Sequence, residues 1–425
     1  MRLWFCLRYL IARLTFIALR LPVSKLEAEV SALWRLVPAE RIKRLDATLK
    51  LIRPRGENGQ CVSSIAQLVD QRPLTKSDFR ENASNVSKTS LAYSRHTAGT
   101  TGDPTHILLS KEELARMLAV RSYCYRHHGI RLGQREARIW GRAANTFGSK
   151  VRDFLLNRKV FYPAESNAKD IVSDLVSWKP QYVYGYTSLI LEAAQILEEN
   201  GLQPEGVKAV ICTAEAILPA QKRLISSAFG APVLEEYGST EFDIVAFECM
   251  KGHLHLVNPW LWVESLNGSV VITDVSRKSQ EIVRYELGDC LKLTETACGD
   301  LGHSLTISEL KGRISEQIAY IGPEFKFHAV IFGKIFEEYM KAFEDCFCFS
   351  VNQITYYRFE IFISRPPKLG TVHLENFFMQ KFIEFFDSDL GGRVIVSVRV
   401  GSEQSDRSKN TYFNLRIDQS AKSGI

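Results

Sequence analysis

The sequence predicts an α/β fold: a large N-terminal domain of mixed sheets packed with helices, followed by a small C-terminal α+β domain. Three observations lead there. Between residues 168 and 235 short apolar runs alternate with helical periods, the pattern of buried strands joined by helices. Beyond Gly312–Arg313 the chain reads helix, strand, helix, strand, which sets the expected domains at 1–312 and 313–425. The 425 residues, 45% hydrophobic and 24% charged, suffice for one large and one small globular domain.

The chain starts with MRLWFCLRYLIARLTFIALRLP, an apolar stretch interrupted by Arg2, Arg8, Arg13 and Arg20. Its uncharged runs are too short for a membrane span or the core of a signal peptide. On a helical wheel Arg2, Arg13 and Arg20 fall together, while Leu3, Leu7, Leu10, Ile11, Leu14 and Ile17 spread over the other side. Such a helix either packs on its own domain or lies on an anionic membrane surface through residues 1–22.

A polar stretch, RENASNVSKTS, leads into SRHTAGTTGDPTH at 94–106. Here Gly99 and Gly102 let the backbone approach a ligand. Thr97, Thr100 and Thr101 add hydroxyls beside exposed N–H groups, so the loop can wrap a polyanion with neutral donors. No Lys-Ser or Lys-Thr follows the last glycine, so this is not a Walker loop. Pro104 ends the turn and THILLS reads as a strand. Residues 111–128 have helical spacing behind Ser110, a fitting N-cap. Residues 170–202 then read helix, strand, turn, helix. A strand at 207–212, a helix at 219–228 and a strand at 232–235 follow. Short β segments fill 254–310. The C-terminal part predicts helices near 329–344 and 373–386 with strands at RFEIFIS and RVIVSVRVG.

Bulk properties exclude some functions. A net charge of +6, spread over 54 basic and 48 acidic residues without a basic stripe, argues against nucleic acid as a partner. Nine irregularly spaced cysteines do not form a disulfide framework and suit a reducing cytoplasm.

Four further segments carry chemistry. In EEYGSTE, 235–241, the ring of Tyr237 suits stacking on a base and Gly238 permits close approach. Thr240 and Glu241 offer oxygens to phosphate and to a hard cation such as Mg²⁺. In VRYELGDC, 283–290, Asp289 follows a glycine turn and suits a ribose diol. Arg313 in LKGRISEQ and Lys409 in SDRSKNTYFNL are cations that could reach ribose or phosphate. Cys249, His255, Cys290 and Cys298 are the right types for a tetrahedral Zn²⁺, at a spacing that fits no familiar pattern.

Taken together these segments resemble the adenylate-forming (ANL) superfamily, and within it the phenylacetate–CoA ligase and CapK-like branch. Thr97–Pro104 matches the family's phosphate loop, with Thr105 where that branch often has threonine. Tyr237–Glu241 matches Tyr-Gly-x-Thr-Glu, Arg284–Asp289 matches Arg-Tyr-x-x-Gly-Asp, and Gly312–Arg313 matches the hinge motif. YGYTSLI at 184–190, TAEAI at 213–217 and ECMKGHLHLVNPWLWVE at 248–264 are similar to segments of the branch.

The resemblance implies ATP-dependent adenylation of a carboxylic acid and transfer of the acyl group to CoA or another acceptor, such as a sugar of a surface polysaccharide. It assigns catalytic roles to Lys409, Glu241 (with Mg²⁺) and Arg313. Thr97, Gly99, Thr100, Thr101, Gly102, Glu236, Tyr237, Gly238, Ser239, Thr240 and Asp289 would hold the nucleotide. Tyr184, Gly185, Tyr186, Ala214 and Glu215 would line the acid pocket. The protein would be cytoplasmic, or peripheral to a membrane through residues 1–22. Ser315 and Glu316 replace the hinge aspartates, Lys409 lacks the preceding glycine, and Thr296 stands where the branch has a cysteine. A nucleotide-binding or regulatory homologue without catalysis is the alternative.

Overall fold

A computed structural model describes residues 2–56, 59–83, 93–96, 106–141, 146–164, 166–302, 305–313, 318–401 and 413–417. Five helices come first: α1 (Arg2–Ala18), α2 (Val23–Trp34), α3 (Pro38–Ile52), α4 (Ile65–Val69) and α5 (Lys76–Ala83). The hairpin β1 (Tyr93–His96) and β2 (His106–Leu109) precedes α6 (Lys111–His127). Then come β3 (Glu136–Ile139), α7 (Phe147–Leu155), β4 (Arg158–Phe161), α8 (Ala168–Trp178), β5 (Tyr182–Tyr186), α9 (Thr187–Glu199), β6 (Val210–Thr213) and α10 (Pro219–Phe229). A run of strands follows: β7 (Val233–Ser239), β8 (Asp243–Glu248), β9 (Leu254–Leu256), β10 (Leu261–Leu266), β11 (Ser269–Asp274), β12 (Tyr285–Glu295) and β13 (Leu305–Arg313). The last elements are β14 (Ile318–Ile321), β15 (Phe325–His328), α11 (Val330–Phe343), β16 (Phe349–Gln353), β17 (Arg358–Ile363), α12 (Thr371–Gly391), β18 (Ile395–Val400) and β19 (Phe413–Leu415).

The chain divides into two compact units. The first comprises residues 1–136, 145–159 and 234–311; the second comprises 137–144, 160–233 and 312–425. In the first, strands lie in the order β10-β11-β12-β13-β9-β8-β7, with antiparallel pairing between β7 and β8, β8 and β9, and β10 through β12. In the second, β6-β5-β3-β4 are neighbours, β5 and β6 run parallel, and β18-β17-β16-β19 form a separate four-stranded sheet. The last passage between units falls at Lys311–Gly312, where the sequence changes character. The segment beyond it shares one core with residues 137–233, because Phe332, Phe336, Phe378 and Phe382 belong to the same apolar cluster as Val183, Leu191 and Ile225. Polar ties run through that core: Gln195 and Gln221 donate to the carbonyls of Cys346 and Phe347 at 2.7 and 3.1 Å.

Local sequence explains the elements that matter most here. Ser110 caps α6 by accepting from the N–H of Glu113, whose carboxylate returns the bond to the N–H of Ser110. This capping box satisfies two orphan donors of the first turn. The same Glu113 carboxylate accepts from the backbone of Lys278 and Ser279. Burial raises the Glu113 carboxyl, but the Ser279 hydroxyl and these N–H groups prevail and hold it below its ordinary range.

The helix α1 differs from the simple expectation of an apolar face turned inward. Arg8, Ala12 and Phe16 are buried, while Leu7, Leu10, Leu14 and Ile17 are 47–71% exposed. Arg8 reaches the surface of α7 instead, donating to the carbonyl of Phe154 at 2.8 Å with its guanidinium 4.0 Å from that ring. Among the described residues no helix is long and apolar enough to cross a membrane.

Candidate functional site

The site in the first unit is built on the β7–β8 hairpin. β7 is buried on both faces at Glu236 and Tyr237, and Thr240–Phe242 makes the turn to β8. At Gly238 a Cβ would stand 2.0 Å from the carbonyl oxygen of Asp243, at the point where the register between the strands slips. Glycine is therefore demanded by the hairpin itself, whatever ligand approaches it.

Side chains from distant segments converge on this hairpin. The Tyr237 hydroxyl donates to Asp289 Oδ2 at 2.9 Å, joining two residues that the sequence assigned to one nucleotide. Burial and then the Asp289 charge push the Tyr237 phenol well above its usual pKa, so it remains the proton donor. Asp289 is presented by a bulge: pairing of β11 with β12 jumps from Ser269↔Cys290 to Val271↔Glu286, leaving residues 287–289 outside the β11 register. Glu241 is 5% exposed and accepts from the Tyr285 hydroxyl at 3.3 Å, while Arg277 donates to its backbone carbonyl at 2.6 Å. Ser239 Oγ is buried with no hydrogen-bond partner among the described residues.

A charged network underlies the hairpin. Arg121 of α6 bridges Glu236 at 3.0 Å and Asp243 at 3.2 Å, and Arg95 of β1 meets Asp243 at 3.1 Å. Burial would raise the Asp243 carboxyl, yet the two guanidiniums hold it below its ordinary range. Through Arg95 the end of β1 is tied to Asp243 at the start of β8, and β1 and β2 pair up to His96↔His106. Glu236, expected to touch nucleotide, pairs with Arg121. Sequence reasoning missed Arg95, Arg121 and Asp243, because an ion pair across 122 or 148 residues leaves no local signal.

Several expected residues cannot be placed beside these. Thr97, Gly99, Thr100, Thr101, Gly102 and Lys409 lie outside the described residues. Arg313 ends β13, and its side chain is not among those described. Arg284 of the Arg-Tyr-x-x-Gly-Asp motif is structural: it pairs with Glu264 at 3.1 Å and donates to the carbonyls of Val69 and Gln71.

The second unit holds the residues expected to line an acid pocket. Trp140 stacks on Tyr186 with centroids 3.8 Å apart and lies parallel to Tyr184 at 5.8 Å. Arg138 sits 4.7 Å over the Tyr184 ring. Gly185 allows this layering, since a Cβ there would stand 1.9 Å from the Ile139 carbonyl oxygen. Glu215 accepts from the N–H of Ser188 at 2.7 Å, which places a carboxylate at the positive end of α9. Ala214 beside it adopts φ 68°.

The metal-type residues are rearranged relative to expectation. Cys249, His255 and Cys298 come together, but the fourth member is His253 and not Cys290. Cys290 lies opposite Ser269 in the β11–β12 pairing, 3.7 Å from where Gly268 would carry a Cβ.

No protein-family model matches the chain. Protein CapK of Staphylococcus aureus is 23% identical over 248 residues, 55% of this chain and 55% of CapK. Indoleacetate–lysine synthetase of Pseudomonas savastanoi is 30% identical over 125 residues, 28% of this chain and 31% of that protein. The chain thus matches about half of one curated relative and under a third of the other. Among solved structures, 2-hydroxyisobutyryl-CoA ligase in the postadenylation state with R3-HIB-AMP superposes at a TM-score of 0.68, 16% identity and 91% coverage of each chain. The chain therefore has the fold of 2-hydroxyisobutyryl-CoA ligase. Its CapK-like motifs fall on the β7–β8 hairpin and the β12 bulge that this fold supplies.

Proposed function

We propose that the protein is an AMP-forming acid ligase, which activates a carboxylic acid with ATP and passes the acyl group to CoA or another acceptor. The carrying observation is the convergence of Tyr237, Glu241 and Asp289 on one hairpin, tied through Arg95 to the base of the glycine–threonine loop. In the first step a carboxylate oxygen attacks the α-phosphorus of ATP and pyrophosphate leaves. The loop hydroxyls and N–H groups would hold the departing phosphates, Asp289 would accept from the ribose, and the Tyr237 ring would lie against adenine. Glu241 fits a cation site, being a buried carboxylate whose one described partner is a neutral hydroxyl; such a group favours an opposing charge. Mg²⁺ held there would offset phosphate charge. Lys409 would carry its ammonium to the point where carboxylate and phosphate meet, and Arg313 would reach ribose or phosphate.

The aromatic layer of Trp140, Tyr184 and Tyr186, with Glu215 nearby in sequence to Ala214, supports an apolar or aromatic acid as substrate. A part in surface-polysaccharide synthesis rests on the likeness to CapK alone. Membrane-surface contact through residues 1–22 is supported by the exposed Leu7, Leu10, Leu14 and Ile17, with Phe147 of α7 84% exposed; sedimentation with anionic but not neutral liposomes is the expected result. The principal test is hydroxylamine trapping with a panel of carboxylic acids, ATP and Mg²⁺. An acid-dependent hydroxamate supports the ligase. Tight ATP binding without hydroxamate for any acid would favour the regulatory alternative.

A further inference from the structure

The cluster Cys249, His253, His255 and Cys298 has no part in the adenylation chemistry. Its four ligand atoms all lie within 4.8 Å of one another. The two sulfurs are 3.9 Å apart, and Cys249 Sγ is 3.9 Å from His253 Nδ1. A disulfide would need sulfurs about 2.05 Å apart. Two thiolates of a tetrahedral zinc, each about 2.3 Å from the metal, stand about 3.8 Å from each other. The observed separation is the second of these.

Local structure delivers the ligands. The N–H of Cys249 bonds the carbonyl of His253 at 3.0 Å, closing the turn between β8 and β9. His253 and His255 are two residues apart along an extended segment, so both project from the same face. Cys298 comes from the turn after β12, where Thr296 Oγ1 accepts from its N–H. Across the same two loops Lys251 pairs with Asp300 at 3.3 Å. His255 is fully buried and Cys298 nearly so.

We propose that these four residues bind one Zn²⁺ as a closed structural site. Two thiolates with two imidazoles suit zinc and not magnesium. Four protein ligands complete a tetrahedron, leaving no position for a reacting water. Binding releases the two thiol protons to solvent. The metal clips the β8–β9 turn to the loop before β13, and through β8 it steadies the hairpin that carries Tyr237 and Glu241. Thr296 in place of a cysteine then costs the site nothing, because His253 supplies the fourth ligand.

The test is metal analysis of the purified full-length chain, with Co²⁺ exchange read by absorption spectroscopy. One zinc per chain is expected, with tetrahedral thiolate–cobalt bands after exchange. Cys298→Ser and His253→Ala should lose the metal or bind it at least tenfold more weakly, whereas Cys290→Ser should keep a full equivalent. Chelation of the wild-type chain should lower its melting temperature. Should a variant fail to fold, the wild-type zinc content and cobalt spectrum still decide. A wild-type chain that binds neither ion, a Cys249–Cys298 disulfide in freshly purified protein, or metal loss in Cys290→Ser with retention in His253→Ala would overturn the proposal.

Discussion

The two units are held together by different physics. The second is dominated by aromatic packing: Phe327, Phe332, Phe359, Phe378, Phe382 and Phe413 meet ring to ring at 5.2–6.3 Å. The first buries Glu113, Glu236, Glu241, Arg277 and Arg284, and it meets their desolvation cost with ion pairs and hydrogen bonds. An aromatic core asks only for volume and shape. A surface proposed to receive phosphate asks for fixed charge, and fixed charge must be braced from beneath.

The contrast can be broken from either side. The largest expected effect on stability is in the aromatic unit. Phe332→Ala removes a fully buried ring touching five others and should cost about 3–5 kcal/mol, read by denaturant unfolding. A loss below about 1 kcal/mol would mean the cluster is loose. In the charged unit Arg121→Ala removes one guanidinium from Glu236 and from Asp243, the latter keeping Arg95, and about 3 kcal/mol should be lost at neutral pH. The sign with pH follows from Asp243. Its folded pKa is depressed, so the stability it contributes is complete above its unfolded value of about 3.9 and disappears as pH falls through the lower folded value. In Arg121→Ala this acid-sensitive part should shrink. An acid limb unchanged from wild type would detach Asp243 from the network. Tyr237→Phe is the smallest change, removing one bond to a charged acceptor. It should cost about 1.5 kcal/mol and leave the ring in place, so ATP affinity should fall far less than in Asp289→Ala.

The same contrast explains what the sequence made legible. The helix over 111–128 with its Ser110 cap, the helix near 329–344 and the strand at 358–364 are written in adjacent residues, and each is present. Tyr237 and Asp289 were readable because each sits in a motif with a recognisable neighbour. The network beneath them was not, since Arg95, Arg121 and Asp243 are unremarkable one at a time and gain meaning only when β1, α6 and β8 meet. His253 was overlooked for a related reason: Cys290 is equally a ligand type, and only the strand pairing that sets it opposite Ser269 removes it from the cluster. β16 and β19 also escaped notice, because three-to-five-residue strands carry too little periodicity to announce themselves.

The central claim is that the braced hairpin and the glycine–threonine loop serve adenylate formation. ATP–pyrophosphate exchange measures that step directly. With a cognate carboxylic acid, wild-type exchange should depend on both the acid and Mg²⁺. The Thr100→Val, Thr101→Val double variant should lower it about a hundredfold, from two lost bonds of about 1.5–3 kcal/mol each to charged phosphate. Lys409→Ala should lower it by about two to three powers of ten, with ATP binding kept. Exchange that needs no acid, or that survives all three substitutions at the wild-type rate, would contradict the account.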